Sequence, residues 1–253
     1  MLQIFPDTST IAEHVSATLV AKIQSKPDAV LGLATGGTME PIYAQFVAHA
    51  HRVNLDVSRL TSFNLDEYIG LSPDHPKSYS AYMREHLFSH LGFDTSRLHL
   101  PDGMTQDLEA HCKAYAAHIQ AFGGVDLQLL GVGGNGHIGF NEPGTPFDCP
   151  CHVVELAEQT RIDNSRFFAE GLMVPRSAIT MGMAEIMQAR EIVLVATGEA
   201  KAQIMAEWYQ QDVTERIPFT ALKRHPRARI ILDEAAASLL PPEARQQRMV
   251  AVG

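Results

Sequence analysis

The run VDLQLLGVGGNGHIGFNEPG, residues 125–144, joins a short apolar segment to a glycine-rich loop. The apolar segment is typical of a strand buried in a parallel sheet. The loop should therefore leave the carboxyl end of that strand, which is where open α/β sheets bind ligands. Because the loop carries one imidazole, His137, and one carboxylate, Glu142, we interpret it as an active-site loop.

Strand-like apolar runs alternate with helical patterns along the rest of the chain. This order predicts an α/β fold with a doubly wound, mostly parallel, Rossmann-like sheet and helices on both faces. Residues 1–253 are interpreted as a single domain, and the long polar stretch 151–177 as a lid over the site. Strands are predicted at 29–33, 60–64, 97–100, 126–132, 191–197 and 229–233, and helices at 11–24, 41–51, 79–90, 106–122 and 200–210.

Composition argues against several classes of partner. Twenty basic and 29 acidic residues give a formal net charge of −9, which disfavours binding to a nucleic-acid backbone. No apolar run approaches the roughly 20 residues of a membrane-spanning helix, and the first residues lack a signal-peptide pattern. Three cysteines, an odd number, disfavour a disulfide framework. These observations predict a cytoplasmic protein without nucleic-acid or membrane partners.

Two further segments that follow predicted strands hold candidate site residues. The turn Thr35-Gly36-Gly37-Thr38 precedes a helix, so its backbone amides and the helix terminus suit an anion, although a plain βα turn is the alternative. Asp66 and Glu67 follow the next strand. If the backbone is extended, adjacent side chains point to opposite sides, so one carboxylate is a candidate general base and the other a partner for a neighbouring group. A solvated turn is the alternative there.

Cofactor and metal sites are not predicted. Gly131, Gly133 and Gly136 satisfy the dinucleotide-binding spacing, but the residues after them have no helical period, which a dinucleotide site requires. The pair His86 and His90 lacks the metalloprotease spacing, and the Cys149-Pro150-Cys151-His152 segment lacks a second ligand pair. The loop is instead predicted to set Glu142 against His137, so that the carboxylate supports a proton-shuttling imidazole.

Three separated motifs, in this order, resemble the glucosamine-6-phosphate deaminase family. They are SFNLDEYIGL at 62–71, GVGGNGHIGFNEP at 131–143 and NSRFF at 164–168. The resemblance extends from about the first predicted strand to Asp233. It implies an aldose–ketose isomerisation coupled to loss of ammonia, which turns glucosamine 6-phosphate and water into fructose 6-phosphate in amino-sugar catabolism. It also implies that no cofactor or catalytic metal takes part.

The resemblance implies catalytic roles for four residues. His137, supported by Glu142, would move the proton that opens the sugar ring. Asp66 would then carry a proton from C2 to C1. Asn135 stands where many members have aspartate, so it would contribute a hydrogen bond and not a base.

The resemblance also implies the phosphate-binding residues. Phosphate would be held by the Thr35-Gly36-Gly37-Thr38 turn with Arg166 and Lys201, and Tyr79 would line the pocket. From its own position near a helix start, Lys201 is equally well explained as a solvated side chain.

Other functions and the mode of regulation remain open at this point. A galactosamine-6-phosphate deaminase, a 6-phosphogluconolactonase-like hydrolase and a non-catalytic sugar-phosphate sensor are the alternatives. Family members activated by N-acetylglucosamine 6-phosphate have a basic cluster just after the Asn-Glu-Pro motif, whereas residues 147–154 here contain no Lys or Arg. Such activation is therefore not expected, and the sequence leaves both a monomer and a homo-oligomer open.

Overall fold

The computed structural model describes residues 1–165, 168 and 174–245. Its centre is a seven-stranded sheet in which every neighbouring pair is parallel. The strands, in chain order, are β1 (Leu2–Phe5), β2 (Val30–Leu33), β3 (Thr61–Asn64), β5 (Leu98–His99), β6 (Leu127–Leu130), β9 (Ile192–Ala196) and β10 (Ala228–Asp233). Their spatial order is β1-β10-β9-β6-β2-β3-β5. The predicted parallel α/β sheet is thus confirmed.

A second, three-stranded sheet is antiparallel and was not predicted. It consists of β4 (Asp66–Tyr68), β7 (His152–Glu155) and β8 (Ser177–Thr180), with β8 in the middle. A small apolar cluster of Tyr68, Phe140, Leu156, Val174 and Ala178 forms on it, separate from the main core. The predicted 151–177 segment therefore begins with a strand of this sheet.

Helices connect the strands. They are α1 (Thr8–Ser25), α2 (Glu40–Arg52), α3 (Tyr79–His86), α4 (Leu108–Ala121), α5 (Glu158–Ser165), α6 (Met183–Met187), α7 (Ala202–Gln210) and α8 (Pro242–Arg245). Helix α1 packs on α2. This is expected, because α1 connects β1 to β2 and α2 connects β2 to β3, and both connections run across the sheet in the same direction. The chain moves the other way after β5, so the right-handed crossover rule places α4 on the opposite face. No helix in the described ranges is both long and apolar enough to cross a membrane.

The N-termini of the helices differ in whether a side chain accepts hydrogen bonds from their backbone amides. Asp7, Ser78 and Asp107 cap α1, α3 and α4, each accepting a hydrogen bond from the backbone N–H three residues on. Helix α2 has no such side-chain cap and has Pro41 in its first turn. Its N-terminus, next to the glycine turn, therefore keeps amides for another partner.

Strand order reverses between β2 and β6, which are neighbours in the sheet. From β2 the chain continues to β3 on one side, and from β6 it continues to β9 on the other. Ligands of doubly wound sheets bind at such a reversal, in the crevice beyond the carboxyl ends of the strands. The 35–38 turn and the glycine loop leave the sheet at this point.

The predicted elements are all present, with differences at their ends. The helix predicted at 79–90 stops at His86, after which residues 88–90 form a 3-10 turn. The strand predicted at 97–100 has only two residues. The residues after Pro241 begin with the short helix α8, in which Ala244 is fully buried.

Candidate active site

Strand β4 carries the adjacent carboxylates and sends them to opposite sides. Its residue Glu67 accepts three hydrogen bonds of 2.9–3.0 Å from the backbone N–H groups of Tyr68, Tyr79 and Ser80. Two of these donors belong to the first turn of α3, where a negative charge is stabilising. Glu67 is therefore the carboxylate that accepts hydrogen bonds from the N-terminus of α3.

The carboxylate of Asp66 is nearly buried, with 7% of the residue exposed. In the described part of the chain no group donates a hydrogen bond to it. The backbone of β4 is held at this position by pairing of Asp66 with Thr180 in β8. Burial, together with the neighbouring charge of Glu67, raises the pKa of Asp66 to about 8. A carboxyl group whose pKa lies near neutral pH is suited to transferring a proton.

The glycine loop brings His137, Glu142 and Asn135 together, as predicted. The side-chain amide of Asn135 donates to Oε2 of Glu142 at 2.7 Å, and its oxygen accepts from the backbone N–H of His137 at 3.2 Å. Nδ1 of His137 lies 3.6 Å from the same Oε2 atom. Asn135 thus connects the imidazole-bearing residue to the carboxylate.

Glu142 is held as an anion. Burial by itself raises the pKa of this carboxyl, but the His137 imidazole and hydrogen bonds from Thr160 and Asn135 overcome that penalty and lower the pKa to about 2. A carboxylate ionised at neutral pH stabilises a proton on the imidazole beside it. The imidazole of His137 therefore lies beside a carboxylate that is ionised at neutral pH.

Two glycines of the loop lie against side chains of the site. A Cβ atom at Gly133 would lie 2.2 Å from Cε1 of His137, so only glycine leaves room for the ring. At Gly139 a Cβ atom would lie 3.5 Å from Oδ2 of Asp66, which places the loop beside that carboxylate. Phe140 N–H donates to the Thr180 hydroxyl at 3.0 Å and so fixes the loop to the small sheet.

The Thr35-Gly36-Gly37-Thr38 turn lies between β2 and α2. Gly36 has φ +106°, a conformation that favours glycine, and its carbonyl accepts from the Tyr82 hydroxyl at 2.9 Å. The Tyr79 side chain contacts the Thr35 side chain, so Tyr79 lies at the turn. The uncapped α2 terminus and this turn together are suited to bind an anion.

The structure describes only one of the two predicted phosphate-binding cations. Lys201 ends the 3-10 turn Glu199–Lys201 after β9, and β9 is the neighbour of β6. Lys201 therefore follows a strand at the same carboxyl edge as the glycine loop. Arg166 lies outside the described residues.

Thr160, Tyr68 and Asn164 belong to the site surroundings and were not predicted. Thr160 donates to Oε1 of Glu142 at 2.6 Å, and Asn164 donates to the Tyr68 hydroxyl at 2.9 Å. The two α5 residues are four positions apart, which puts them on one face of a helix. Tyr68 and Asn164 lie in two of the motifs that carry the family resemblance, but neither the motifs nor the spacing identifies the partners.

Within the described ranges, no group of three or more His, Cys, Asp or Glu residues is arranged to hold a metal ion. Nε2 of His90 lies 2.7 Å from the Glu85 carbonyl oxygen, and Sγ of Cys149 lies 3.4 Å from Nδ1 of His152.

Comparisons with known proteins identify the family. Residues 8–231 match the profile of the family described as glucosamine-6-phosphate isomerases/6-phosphogluconolactonase. Two proteins named glucosamine-6-phosphate deaminase, from Geobacillus sp. strain WCH70 and Rhodopirellula baltica, are 50% and 49% identical to this chain, over 93% and 96% of it and 94% and 97% of their own lengths. A solved structure of a monomeric glucosamine-6-phosphate deaminase is 41% identical with a TM-score of 0.92, over 94% of this chain and 99% of that one. A 6-phosphogluconolactonase from Trypanosoma brucei, 20% identical with a TM-score of 0.72 over 95% of this chain and 99% of its own, shares the fold.

Proposed function

Because this chain belongs to the family of glucosamine-6-phosphate isomerases and 6-phosphogluconolactonases, we propose that it is an enzyme that converts glucosamine 6-phosphate and water into fructose 6-phosphate and ammonia. The observation that carries the proposal is the placement of Asp66 beside the loop that holds His137 and Glu142. A carboxyl group whose pKa lies near neutral pH, and an imidazole held beside an ionised carboxylate, meet the two proton-transfer requirements of this reaction.

Ring opening is the first step. The closed sugar has no free carbonyl group, so its C2 proton is not yet acidic. His137 moves the proton between the anomeric hydroxyl and the ring oxygen, and ionised Glu142 stabilises the imidazolium form. Asn135, an amide, holds Glu142 in place and takes no proton.

Isomerisation and deamination follow. The carboxylate form of Asp66 removes the C2 proton and returns it to C1 through an enolamine, which gives a ketimine at C2. Water adds to that ketimine, ammonia leaves, and fructose 6-phosphate is formed. The burial that raises the pKa of Asp66 to about 8 makes it a strong enough base for a carbon acid next to an aldehyde.

The phosphate group fixes the other end of the sugar. Support comes from the uncapped terminus of α2, the glycine turn at 35–38 and the neighbouring Tyr79. Arg166 and Lys201 complete the proposed phosphate site with charge-assisted hydrogen bonds. Anchoring one end of an open chain brings its C1 and C2 atoms within reach of a fixed base.

The wider setting of this activity is also a proposal. Release of ammonia by addition of water makes the enzyme a hydrolase in amino-sugar degradation, including that of N-acetylglucosamine, in the cytoplasm. The 151–177 segment, of which β7 and α5 are the described elements, acts as the lid over the bound sugar.

The test is product release from the purified protein. Glucosamine 6-phosphate, galactosamine 6-phosphate and 6-phosphogluconolactone are supplied in parallel, each with and without a chelator, and ammonia, fructose 6-phosphate and 6-phosphogluconate are measured. We expect equal amounts of ammonia and fructose 6-phosphate from the gluco substrate, unchanged by the chelator. Preferential turnover of the galacto epimer or of the lactone would overturn the substrate assignment. Saturable binding of glucosamine 6-phosphate without turnover would indicate a sensor.

A further inference from the structure

Thr160 is a buried residue of α5 that contacts the proposed ring-opening pair. It is 2% exposed, and its hydroxyl donates to Oε1 of Glu142 at 2.6 Å. The other carboxylate oxygen, Oε2, accepts from Asn135 and faces His137. Each oxygen of the carboxylate therefore has its own donor, and the two donors together fix the rotation of the carboxylate about its terminal bond.

A second contact holds the same helix in place. Asn164, one turn after Thr160, donates to the Tyr68 hydroxyl at 2.9 Å. That hydroxyl lies 3.1 Å from the hydroxyl of Tyr79, which contacts Thr35 of the glycine turn. Helix α5 is thus attached at one point to the ring-opening pair and at another to the tyrosines beside the proposed phosphate turn.

We propose that Thr160 is a positioning residue for ring opening, whose hydroxyl holds the Glu142 carboxylate in the orientation that supports His137. This proposal rests on the proposed function, because the ring-opening roles of Glu142 and His137 are part of that function. Asn164 keeps α5 in register, so that the hydroxyl of Thr160 stays within hydrogen-bond distance.

The physical consequence of losing this hydroxyl is specific. Oε1 of Glu142 would lose its donor in a half-buried site, and the carboxylate would be less stabilised as an anion. The titratable group that faces it is the His137 imidazole, 3.6 Å from Oε2. The carboxylate would stay ionised at neutral pH, because its pKa starts from about 2. With Oε1 no longer held, it would keep the orientation that supports His137 less of the time, so the chemical step would slow while the proposed phosphate contacts are unaffected.

The experiment measures the carboxyl group itself and the kinetics. The protein is labelled with ¹³C-carboxyl glutamate, and the Glu142 resonance is assigned by its loss in Glu142→Gln. Its titration is followed in wild type, Thr160→Val, Thr160→Ala and Thr160→Ser. The matched control is Thr145→Val, because the Thr145 hydroxyl donates to the backbone oxygen of Glu142 at 2.7 Å and not to its carboxylate.

We expect the titration midpoint of Glu142 to rise in the valine and alanine variants and to return in the serine variant. kcat for glucosamine 6-phosphate should fall about ten- to hundredfold in the hydroxyl-free variants, a loss typical of outer positioning contacts, with little change in KM. Thr145→Val should leave the titration unchanged. The alanine variant carries the test if the valine variant does not fold.

An unchanged Glu142 titration and an unchanged kcat in a folded hydroxyl-free variant would overturn the proposal. A fall in kcat that serine does not restore would also overturn it, because a merely structural role predicts that outcome. If wild type releases no ammonia, the proposed function fails, whereas the Glu142 titration still decides whether Thr160 controls that carboxylate.

Discussion

Asp66 and Glu67 are consecutive residues whose carboxylates have opposite surroundings. Glu67 accepts three backbone N–H groups and stabilises the start of α3, whereas Asp66 has no hydrogen-bond donor among the described residues and faces the glycine loop at Gly139. The alternation of side chains along an extended strand produces this division. One pair of acidic residues thus supplies both a structural cap and a candidate base.

Replacement of Asp66 by Asn should abolish turnover and leave substrate binding largely intact. Asparagine has the same shape but cannot take a proton from C2, so a loss of at least about 10²-fold in kcat is expected. Ammonia release measures turnover, and calorimetric titration with glucosamine 6-phosphate measures binding. Normal activity in this variant would remove Asp66 from the mechanism.

The same substitution should stabilise the protein in a pH-dependent way. Because burial and Glu67 raise the pKa of Asp66 to about 8 in the folded state, the folded protein keeps a proton that the unfolded chain releases above about pH 4. The free energy of unfolding therefore falls as pH rises from about 4 to about 8. Asp66→Asn removes this loss, so its advantage over wild type should be larger at pH 8 than at pH 5, by up to about 4 kcal/mol. Denaturant unfolding at both pH values checks this, and an equal difference at both would contradict it.

Replacement of Glu67 by Gln should destabilise the fold by about 1–3 kcal/mol. The neutral amide has one acceptor oxygen for three backbone donors, two of which begin α3. The control is Glu109→Gln, whose side chain is 81% exposed in its ion pair with Lys113 and should change stability by less than about 0.5 kcal/mol. Urea unfolding measures both, and equal effects would contradict the role of Glu67.

Replacement of Gly133 by Ala should lower kcat by displacing the His137 ring, since the new Cβ atom would lie 2.2 Å from Cε1. Gly92→Ala is the matched control, because a Cβ atom there meets nothing within 4 Å. Steady-state kinetics and circular dichroism separate loss of activity from loss of fold. Unchanged kcat in Gly133→Ala would show that the ring position is not critical.

N-acetylglucosamine 6-phosphate should not activate the enzyme. Residues 147–154 contain no Lys or Arg, and Nδ1 of His152 is already 2.9 Å from the Pro150 carbonyl oxygen. This segment therefore has no basic cluster for a second sugar phosphate. Initial rates over a range of substrate concentrations, with and without that ligand, should coincide, and a leftward shift on its addition would contradict the prediction.

Most of the central sheet could be predicted because strands such as β6, β9 and β10 are mostly apolar runs separated by helical periods, whereas the four-residue strand β1 was not predicted. The glycine loop could be predicted for a similar reason, since Asn135, His137 and Glu142 are near one another in sequence and their contacts are local. Both predictions depend on short-range patterns.

The small antiparallel sheet could not be predicted in this way. Asp66–Tyr68 is a short polar segment that becomes a strand only by pairing with Ser177–Thr180, more than a hundred residues later. The contact of Thr160 with Glu142 likewise depends on where α5 packs. Such features follow from tertiary packing and leave no period in the sequence.

The pairing of β1 with β10 has a consequence for folding. Leu2 pairs with Ile230 at the edge of the central sheet, so two strands more than two hundred residues apart in sequence are neighbours. Closing so long a loop is entropically costly and slow. Until β10 is in place, β1 is an unpaired and mostly apolar segment, which favours association with other chains.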